Sequence, residues 1–490
     1  MNIADQVLEQ AARTPDLIAV EDEDGALSYG DLARRALRGA GLLARVGRPG
    51  SPVAVRVPRE RDLIVAGLAA MVAGRPYLPL DPHEPARRTR AFLDTAELDT
   101  AVATDLDVPG LRTLHPTELE QATAEGMRDA SEAAYVVRTS GSTGVPKGVV
   151  VGHAALANLV AWHNRTYQVG PGIRHLQTAN AGFDAAVWEI WPALCAGATV
   201  VIAPYAVRLS AAEIIDHARA RAIDLLFAPT PIAEMIVELD ADEAVPWRTL
   251  LTGGDVLRLR RVPQGWALVN HYGPAEATVC ATWNPVTALP PSGLPAIGRP
   301  IDGAEVVVCD EEGRAVPPGR TGEIRIGGRG LALGYHRRPE ETARRFGPLP
   351  DRPGRWYRTG DLAFRDERGD LHFRGRVNDD QVQISGVRIE TGEVETALMR
   401  HPRIRRAAVA PVGPPGSARV LGALIVVAGP TPTPADLRQD LAADLPPPAI
   451  PTCLVRAAAM PLTPNGKIDR AAVRRALEAA EPASRQEARR

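Results

Sequence analysis

The sequence predicts an α/β protein with a large N-terminal domain of parallel sheets, a small β-rich subdomain within it, and a small α+β C-terminal domain. Its 490 residues are enough for about three domains, at about 150 residues each. Short apolar strands alternate with helical stretches over residues 133–270, a pattern typical of a parallel sheet. Over residues 285–376 the strands are short and separated by Gly and Pro, which favours a β-rich subdomain. We therefore place the domains at residues 1–378 and 379–480, with a charged tail at residues 481–490.

The sequence predicts alternating helices and strands through the N-terminal domain. Over the first part of the chain, helical stretches alternate with short strands such as residues 52–57. Further on, apolar runs and periodicity predict strands at residues 134–137, 149–151, 199–202, 224–227, 249–252, 268–270, 305–309 and 322–326, and helices at residues 153–164 and 184–194. Gly197 follows the second of these helices and predicts its C-terminal end.

A polar run at residues 376–380 predicts a linker to the C-terminal domain. Beyond it, the pattern predicts a helix at residues 393–399, strands at residues 406–412 and 420–427, and a further helix. Thr433 and Asp436 predict a cap for that helix, with Pro434 in its first turn. Residues 474–490 are helix-prone and charged.

The composition excludes several classes of protein. Hydrophobic residues make up 45% and charged residues 24% of the chain, which argues against long disorder. A formal net charge of -2 excludes a strongly basic nucleic-acid binder, and the four cysteines have no CxxC spacing that would indicate a zinc module. No apolar run approaches the length of a membrane span, and no secretory signal is visible. The sequence therefore predicts a cytoplasmic protein with neither nucleic-acid nor membrane partners.

Lysine occurs at only two positions, Lys147 and Lys467, although Lys and Arg together number 57. An ammonium group is a compact point charge on a flexible stem, whereas a guanidinium group is a wide planar fork. Both lysines lie in Gly-containing loops. The presence of lysine rather than arginine at these two positions favours a chemical role for each of them.

The first of these loops has the composition of a phosphate-binding loop. Its hydroxyl-bearing residues, glycines and lysine are Thr139, Ser140, Gly141, Ser142, Thr143, Gly144 and Lys147. Backbone N–H groups and hydroxyls in such a loop can face phosphate oxygens, with the ammonium as counter-charge. It is not a Walker A loop, because Pro146 and Gly148 stand where that motif needs Gly and Ser or Thr. A flexible linker is the alternative, but Pro-Lys-Gly followed by a strand is not linker composition.

This loop resembles the signature of adenylate-forming enzymes, in particular the amino-acid adenylation domains of nonribosomal peptide synthetases. Further motifs match in the family order: FDAAVWE (183–189), NHYGPAE (270–276), GEIRIGGRGLALGYH (322–336), YRTGDL (357–362) and NGK (465–467). The resemblance covers nearly the whole chain. It implies activation of an amino acid by ATP as its adenylate with release of pyrophosphate, and then transfer to the phosphopantetheine thiol of a carrier protein.

The resemblance also implies ATP and Mg²⁺ as cofactors and assigns residues to them. Glu276 would carry the magnesium ion. Asn270 and Tyr272 belong to the same nucleotide motif, and Tyr272 would lie against the adenine. Asp361 would bind the ribose hydroxyls, since a carboxylate accepts two O–H bonds, and Arg376 would add a contact near the ribose.

Three residues are implied to be catalytic, namely Glu276, Lys147 and Lys467. Lys467 would bridge the substrate carboxylate and the nucleotide. It would do so from a C-terminal domain that the family rotates between adenylation and thioester formation.

Aligning the motifs predicts the lining of the amino-acid pocket. Its members are Asp184, Ala185, Trp188, Leu226, Leu251, Gly253, His271, Val279, Cys280 and Lys467. Asp184 would hold the substrate ammonium and Lys467 its carboxylate, with an almost wholly apolar lining between them. The prediction is a bulky apolar α-amino acid, first leucine or a close branched relative and second an aromatic one. A modified leucine with a hydroxyl toward His271 would also fit.

The sequence departs from the family pattern at three places. Ala275 stands where Thr is frequent, and Arg138 stands where an aromatic residue is usual. The segment at residues 375–386 is one residue longer than the family pattern. The hinge aspartate is therefore either Asp379 or replaced by Asn378.

Two other functions compete with amino-acid adenylation. An acyl-CoA ligase would act on a carboxylic acid without an α-amine, and Asp184 argues against it, because a buried anion needs a partner such as a substrate ammonium. A relative that only binds a nucleotide or partner is disfavoured, because four residues of the family motifs are intact: Lys147, Glu276, Asp361 and Lys467. No carrier segment follows Lys467, which predicts a freestanding enzyme or an excised fragment. It would need a carrier protein in trans and could need a small MbtH-like helper protein.

Overall fold

The structure, a computed structural model, describes residues 2–84, 86–122, 131–139, 146–239, 245–290, 292–377, 381–384, 387–413, 419–461 and 468–487. The chain divides into two compact units. The first comprises residues 1–82, 96–138 and 148–375, and the second comprises residues 83–95, 139–147 and 376–490. Residues 378–380 lie outside the described residues, so the predicted domain boundary and hinge there stay predictions.

The described helices are α1 (Ile3–Arg13), α2 (Tyr29–Leu43), α3 (Glu60–Val72), α4 (Ala86–Ala96), α5 (Pro116–Gln121), α6 (His153–Thr166), α7 (Asp184–Ala196), α8 (Ala211–Ala220), α9 (Thr230–Leu239), α10 (Pro339–Arg345), α11 (Thr391–Leu398), α12 (Pro434–Leu441) and α13 (Arg470–Glu487).

The described strands are β1 (Ile18–Asp22), β2 (Gly25–Ser28), β3 (Val53–Arg56), β4 (Tyr77–Pro79), β5 (Thr100–Ala103), β6 (Arg112–Leu114), β7 (Ala133–Thr139), β8 (Lys147–Gly152), β9 (Arg174–Gln177), β10 (Thr199–Ile202), β11 (Leu225–Pro229), β12 (Thr249–Gly253), β13 (Ala267–Tyr272), β14 (Thr282–Pro285), β15 (Arg299–Pro300), β16 (Ala304–Cys309), β17 (Gly322–Gly328), β18 (Gly334–Tyr335), β19 (Phe346–Leu349), β20 (Arg352–Arg365), β21 (Leu371–Arg376), β22 (Gln381–Ile384), β23 (Val387–Glu390), β24 (Ile404–Val412), β25 (Val420–Val427) and β26 (Cys453–Arg456).

The larger sheet of the first unit has nine strands in the order β15-β14-β13-β12-β11-β9-β10-β1-β2. The strands from β13 to β1 in this order are parallel, and antiparallel strands close both edges. Helices α7, α8 and α9 connect successive strands from β9 to β12, as parallel pairing requires. The predicted α/β class with parallel sheets is confirmed, and the four strands predicted between residues 199 and 270 agree with β10 to β13 within two residues at each end.

A second sheet of seven strands has the order β18-β8-β7-β4-β3-β5-β6 and is parallel among β3 to β7. Its strand β8 begins at Lys147, two residues earlier than predicted, so Lys147 and Gly148 are strand residues rather than loop residues. The ladder reaches Gly148 because its carbonyl oxygen accepts a hydrogen bond from the His336 N–H at 2.8 Å. One hydrophobic cluster contains buried residues of both large sheets together with α2, α3, α6 and α7.

The predicted β-rich subdomain is confirmed as a five-stranded antiparallel sheet. Its strands run in the order β16-β17-β20-β19, and β21 pairs with β20. A separate cluster of buried residues, including Val308, Ile324 and Leu371, forms its core.

The second unit contains α+β structure, as predicted for the C-terminal part of the chain. Strands β24, β25 and β26 form a three-stranded sheet, β22 and β23 form a hairpin, and α11 to α13 accompany them. Thr433 caps α12: its side chain accepts from the Asp436 N–H, and the Asp436 carboxylate accepts from the Thr433 N–H. This is the cap that the sequence predicts.

Helix α7 positions one side of the candidate site. It begins at Asp184, as predicted, and the Gly197 that caps its C-terminal end has φ +81°, a conformation that glycine adopts without strain. Most of its residues are buried, including Trp188 and Trp191. Helix α7 is therefore an internal helix with fixed side-chain directions.

Candidate active site

The turn that follows β13 holds the polar residues of the NHYGPAE motif in a compact arrangement. A Cβ atom on Gly273 would lie 2.4 Å from the Val279 carbonyl oxygen, so only glycine fits at this close approach. Thr278 and Val279 both have positive φ angles, +54° and +69°, which β-branched residues rarely adopt. The Thr278 hydroxyl donates to the Gly330 carbonyl oxygen at 2.6 Å and helps to hold this turn. Backbone strain of this kind persists where the surrounding structure enforces it, often at functional sites.

Glu276 is fully buried in this turn, with 0% of its surface exposed. The Tyr335 hydroxyl donates to its Oε1 atom at 2.8 Å. Burial raises the pKa of the Tyr335 phenol, and the charge of Glu276 raises it further, so Tyr335 stays protonated as a donor. Tyr335 belongs to the motif at residues 322–336, to which the sequence assigned no individual residue role.

The carboxylate of Glu276 has the chemistry that Mg²⁺ prefers. Mg²⁺ is usually bound by one or two carboxylates together with substrate phosphates and water. Among the residues that the structure describes, no group of three or more His, Cys, Asp or Glu side chains could hold a metal ion. The buried carboxylate of Glu276 therefore fits one protein ligand of an ion that a bound nucleotide would share.

Tyr272 and Asp361 are brought together although they are 89 positions apart in the sequence. The Tyr272 hydroxyl donates to Asp361 Oδ2 at 2.7 Å, and Asp361 is only 3% exposed. The backbone N–H of Asp361 donates to the Thr359 hydroxyl at 2.9 Å. The side chains expected at the adenine and at the ribose thus form one hydrogen-bonded pair.

Asn270 lies two residues before Tyr272 on β13 and is also buried. Its amide nitrogen Nδ2 donates to the Ala296 carbonyl oxygen at 2.9 Å. Its Oδ1 atom is buried and accepts no hydrogen bond within the described residues. A buried acceptor without a donor is costly, so this atom fits an incoming donor such as an exocyclic amino group.

The remaining nucleotide residues lie in the second unit or outside the described residues. Thr139 ends β7, Lys147 begins β8 and is buried, and Arg376 ends β21 and is half-buried. Outside the described residues lie Ser140, Gly141, Ser142, Thr143, Gly144, Asn378, Asp379 and Lys467.

Asp184, the residue expected at the substrate ammonium, is half-buried at the first position of α7. The exposed N–H groups of a helix N-terminus stabilise an anion there. Burial raises the pKa of Tyr135 well above its ordinary value, and the negative charge of Asp184 raises it further. Ala185 packs against the same hydrophobic cluster that contains Trp188.

The strands beside α7 present alternate residues to opposite cores. Phe227 of β11 pairs in register with Leu251 of β12, and both belong to the cluster that contains Trp188. The rings of Trp188 and Phe227 are 5.8 Å apart. Leu226, expected to line the pocket, pairs with Leu250 and belongs to a different cluster on the opposite face of the sheet. Since side chains alternate along a strand, Phe227 and not Leu226 accompanies Leu251 at this face.

Gly253 and Cys280 close the lining around β12 and β13. A Cβ atom on Gly253 would lie 2.8 Å from the His271 carbonyl oxygen, so the close approach of the two strands requires glycine here. Cys280 is buried, and burial raises the pKa of its thiol well above the ordinary value, so it acts as an apolar group. Val279 is half-buried and packs against the cluster of Trp188.

His271 is buried, and its ring lies 4.8 Å from that of Trp188. Its Nδ1 atom lies 3.1 Å from the Thr252 carbonyl oxygen, and its Nε2 atom lies 2.7 Å from the Tyr167 hydroxyl. Both ring nitrogens therefore have protein partners. Sequence reasoning did not identify Phe227, Tyr335 or Tyr167, and only Tyr335 lies in a recognised motif.

No helix in the described part of the chain is long and apolar enough to cross a membrane.

Comparison with known proteins gives consistent matches. The family of AMP-binding enzymes matches residues 7–336, and the family of AMP-binding enzyme C-terminal domains matches residues 393–467. A linear gramicidin synthase of Brevibacillus parabrevis is 38% identical over 96% of this chain and 10% of its own length. Novobiocin biosynthesis protein H of Streptomyces niveus is 37% identical over 98% of this chain and 83% of its own length. The chain thus spans about a tenth of the length of the gramicidin synthase that it matches, but most of the length of the novobiocin protein.

Solved structures show the same fold. A nonribosomal peptide synthetase protein containing adenylation and PCP domains is similar with a TM-score of 0.81 and 30% identity, over 96% of this chain and 83% of that one. The o-succinylbenzoate CoA synthetase of Bacillus subtilis has a TM-score of 0.82 at 20% identity, over 96% of this chain and 98% of that one, and so shares the fold.

Proposed function

The chain belongs to the AMP-binding enzyme family, as an adenylate-forming ligase of the nonribosomal peptide synthetase adenylation type, and we propose that it activates a bulky apolar α-amino acid. Enzymes of this type use ATP. In the first step a carboxylate oxygen of the amino acid attacks the α-phosphorus of ATP, forming the acyl phosphate bond and releasing pyrophosphate. In the second, a carrier-protein thiol attacks the carbonyl carbon, forming a thioester and releasing AMP.

We assign nucleotide binding to Asn270, Tyr272 and Asp361. The buried, unsatisfied Oδ1 of Asn270 suits the adenine amino group, and the Tyr272–Asp361 hydrogen bond holds a carboxylate ready for the ribose hydroxyls. Arg376 would add a contact near the ribose. These groups contribute by orienting the α-phosphate toward the attacking carboxylate.

We assign Mg²⁺ to Glu276, whose burial and hydrogen bond from Tyr335 fix one carboxylate in position. When bound, the ion would neutralise phosphate charge as it develops in the transition state. The loop of Thr139, Ser140, Gly141, Ser142, Thr143, Gly144 and Lys147 would supply further donors to the phosphates. Lys467 would neutralise charge between the substrate carboxylate and the nucleotide during adenylation.

One observation carries the assignment of the substrate class: an anion, Asp184, stands one helical turn before the buried indole of Trp188. An amino acid bound with its ammonium at Asp184 would direct its side chain along the face formed by Trp188, Phe227 and Leu251. Burying a leucine-sized side chain there would contribute about 1.5–3 kcal/mol. A charged side chain without a partner would be strongly disfavoured. Leucine or a close branched relative remains the first choice, and an aromatic amino acid the second.

Pyrophosphate exchange measured over all twenty amino acids tests this proposal. We expect the strongest exchange with leucine or another bulky apolar amino acid. The isosteric variant Asp184→Asn should lower kcat/KM for that amino acid at least about a hundredfold, since a charge-assisted pair is lost. Strongest exchange with Glu, Lys or Arg would refute the pocket assignment. Preferential activation of carboxylic acids without an α-amine, unaffected by Asp184→Asn, would support an acyl-CoA ligase instead.

The acceptor of the activated amino acid is proposed to be a carrier protein acting in trans. The similarity to a protein that contains adenylation and PCP domains supports a partner of this kind. A small MbtH-like helper could assist folding of the enzyme. Co-expression with and without such a helper, followed by the exchange assay, tests that requirement.

A further inference from the structure

Two predicted lining residues of the amino-acid pocket, Trp188 and His271, form two of its walls. Together with His163 and Tyr167 they make a closed ring of four aromatic side chains, each in contact with the next. Successive ring centroids are 5.8 Å apart for Trp188 and His163, 4.9 Å for His163 and Tyr167, 6.2 Å for Tyr167 and His271, and 4.8 Å for His271 and Trp188. All four side chains are buried. His163 lies on α6 and Tyr167 follows that helix directly, and neither residue belongs to one of the family motifs.

Trp188 and His271 each form a hydrogen bond with a residue at the end of α6 or directly after it. The Trp188 indole Nε1–H donates to His163 Nδ1 at 2.9 Å. The Tyr167 hydroxyl and His271 Nε2 are 2.7 Å apart. The orientation of each wall is therefore tied to a residue that does not itself belong to the predicted lining.

These contacts define the tautomer of each imidazole. The Thr252 carbonyl oxygen can only accept, so the His271 Nδ1 atom that faces it at 3.1 Å carries the proton. His271 Nε2 then holds the lone pair and accepts from the Tyr167 hydroxyl. In the same way, His163 Nδ1 accepts from Trp188, so the proton of His163 is on Nε2.

Neither imidazole is charged near neutral pH. Burial lowers the pKa of His271 to about 3, and burial together with the neighbouring histidines lowers the pKa of His163 well below its ordinary value. The His271 wall thus carries no charge, and its two nitrogens are already used by Thr252 and Tyr167.

We propose that His163 and Tyr167 are positioning residues that set the side-chain selectivity of the amino-acid pocket, because their hydrogen bonds hold Trp188 and His271 in one orientation and occupy the lone pair of His271 Nε2. This inference rests on the proposed function and specifies its substrate class. A polar side chain in this pocket finds no hydrogen-bonding atom on His271 and is rejected, since an unpaired buried polar group is costly. A leucine hydroxylated toward His271, which the sequence alone allowed, is disfavoured for the same reason.

The test compares Tyr167→Phe with the parent enzyme, because this change removes one hydroxyl and keeps the ring. Leucine and asparagine have side chains of nearly equal size but opposite polarity, so their ratio of kcat/KM in pyrophosphate exchange reports selectivity. We expect Tyr167→Phe to reduce the preference for leucine about tenfold, the value of one hydrogen bond. The change should appear mainly in KM, with kcat altered by less than about twofold, because the reacting carboxylate is untouched.

His163→Phe should raise the KM for leucine by about tenfold, because the Trp188 N–H is left buried without an acceptor. His175→Phe is the matched control. The His175 ring stacks on His163 at 5.8 Å, and its nitrogens have no hydrogen-bond partner within the described residues. We expect His175→Phe to keep both KM and the leucine–asparagine ratio within about twofold of the parent values.

A second readout needs no substrate. The ¹⁵N chemical shifts of His271 report both its tautomer and the hydrogen bond at Nε2. We expect the Nδ1–H signature in both proteins, with the Nε2 resonance shifted in Tyr167→Phe because that hydrogen bond is lost. If the parent shows no amino-acid-dependent exchange, the proposed function fails while this measurement still decides the role of Tyr167. An unchanged Nε2 chemical shift and an unchanged leucine–asparagine ratio in a folded Tyr167→Phe would overturn the inference. Equal changes in His175→Phe would also overturn it, because packing alone would then explain them.

Discussion

Adjacent residues of β11 face opposite cores, and this alternation decides which of them can reach a bound substrate. Leu226 packs with Leu250 and Leu268 beneath the sheet, whereas Phe227 lies with Leu251 on the face of Trp188. Motif alignment on the sequence selected Leu226. The face could not be read from the apolar run itself, because every residue from Leu225 to Ala228 is buried and the run has no polar alternation.

The variants Phe227→Ala and Leu226→Ala separate these two roles. Phe227→Ala should enlarge the pocket beside Trp188 and raise the kcat/KM ratio of phenylalanine to leucine about tenfold or more. Leu226→Ala should leave this ratio unchanged but reduce the free energy of unfolding by about 2–5 kcal/mol, because it creates a cavity in a fully buried core. Pyrophosphate exchange and urea denaturation measure the two effects. If the phenylalanine-to-leucine ratio of kcat/KM changes in Leu226→Ala and not in Phe227→Ala, then Leu226 rather than Phe227 faces the pocket, which would contradict this assignment.

Lys467, one of two lysines in the chain, is expected to serve the adenylation step alone. Lys467→Ala should reduce pyrophosphate exchange by at least about a hundredfold, since a charge that stabilises the transition state is removed. Transfer from a preformed aminoacyl adenylate to a carrier thiol should remain within a few-fold of the parent rate. Lys467→Arg should restore little activity, because the guanidinium fork does not replace a point charge. Equal loss of both half-reactions would disprove this division of labour.

At the scale of the residue, motif order and chemistry located Asn270, Tyr272, Glu276 and Asp361 in the sequence. They did not reveal the partners that hold these side chains. The Tyr335–Glu276 and Tyr272–Asp361 hydrogen bonds join residues 59 and 89 positions apart, and both depend on how separate strands meet. Such contacts require tertiary structure, since local patterns carry no information about distant strands.

At the scale of the element, regular strands and helices followed from periodicity and end signals. The helix predicted from residue 184 begins there, and the strands predicted at residues 199–202 and 420–427 have the observed bounds. The conformation of the turn between β13 and β14 was harder to predict from the sequence. Its left-handed Thr278 and Val279 contradict the local preference of β-branched residues, and long-range contacts such as that from Thr278 to Gly330 override it. Local propensity fails where neighbouring elements impose the backbone conformation.

Helix α6 shows how an element outside the motifs contributes to a site. Its C-terminal part holds His163 and Trp162, and Tyr167 follows it; all three pack against His271 or Trp188. The sequence predicted the helix at residues 153–164 but assigned it no functional residue. The motif residues form the lining of the candidate pocket, whereas α6 determines how that lining is oriented.

At the scale of the whole molecule, buried histidines should make folding sensitive to mild acid. Burial lowers the pKa of His175 and of His271 to about 3, and that of His163 well below the ordinary value of 6.5. In the unfolded chain these groups bind protons below about pH 6.5, whereas in the folded chain they stay neutral. The unfolded state therefore binds more protons, and the free energy of unfolding decreases as the pH falls from about 6.5 toward 3.

Glu189 contributes to the pH dependence of stability with the opposite sign, because burial raises the pKa of its carboxyl to about 8. Between about pH 4.5 and 8 the folded chain binds a proton at this carboxyl and the unfolded chain does not. Its contribution to the free energy of unfolding therefore increases as the pH falls from about 8 to 4.5 and is constant below that. His153, whose pKa burial lowers to about 4, acts in the same direction as the other three histidines, so the histidines outweigh this carboxyl and the free energy of unfolding decreases between pH 5.5 and 4.5. Urea denaturation at a series of pH values should show this decrease, and His175→Phe should make it shallower by about 1 kcal/mol per pH unit, because one buried neutral histidine is removed. If the free energy of unfolding has the same pH dependence in parent and variant, then His175 is not held neutral in the folded chain. The core beneath the candidate pocket would then admit water that its contacts do not indicate.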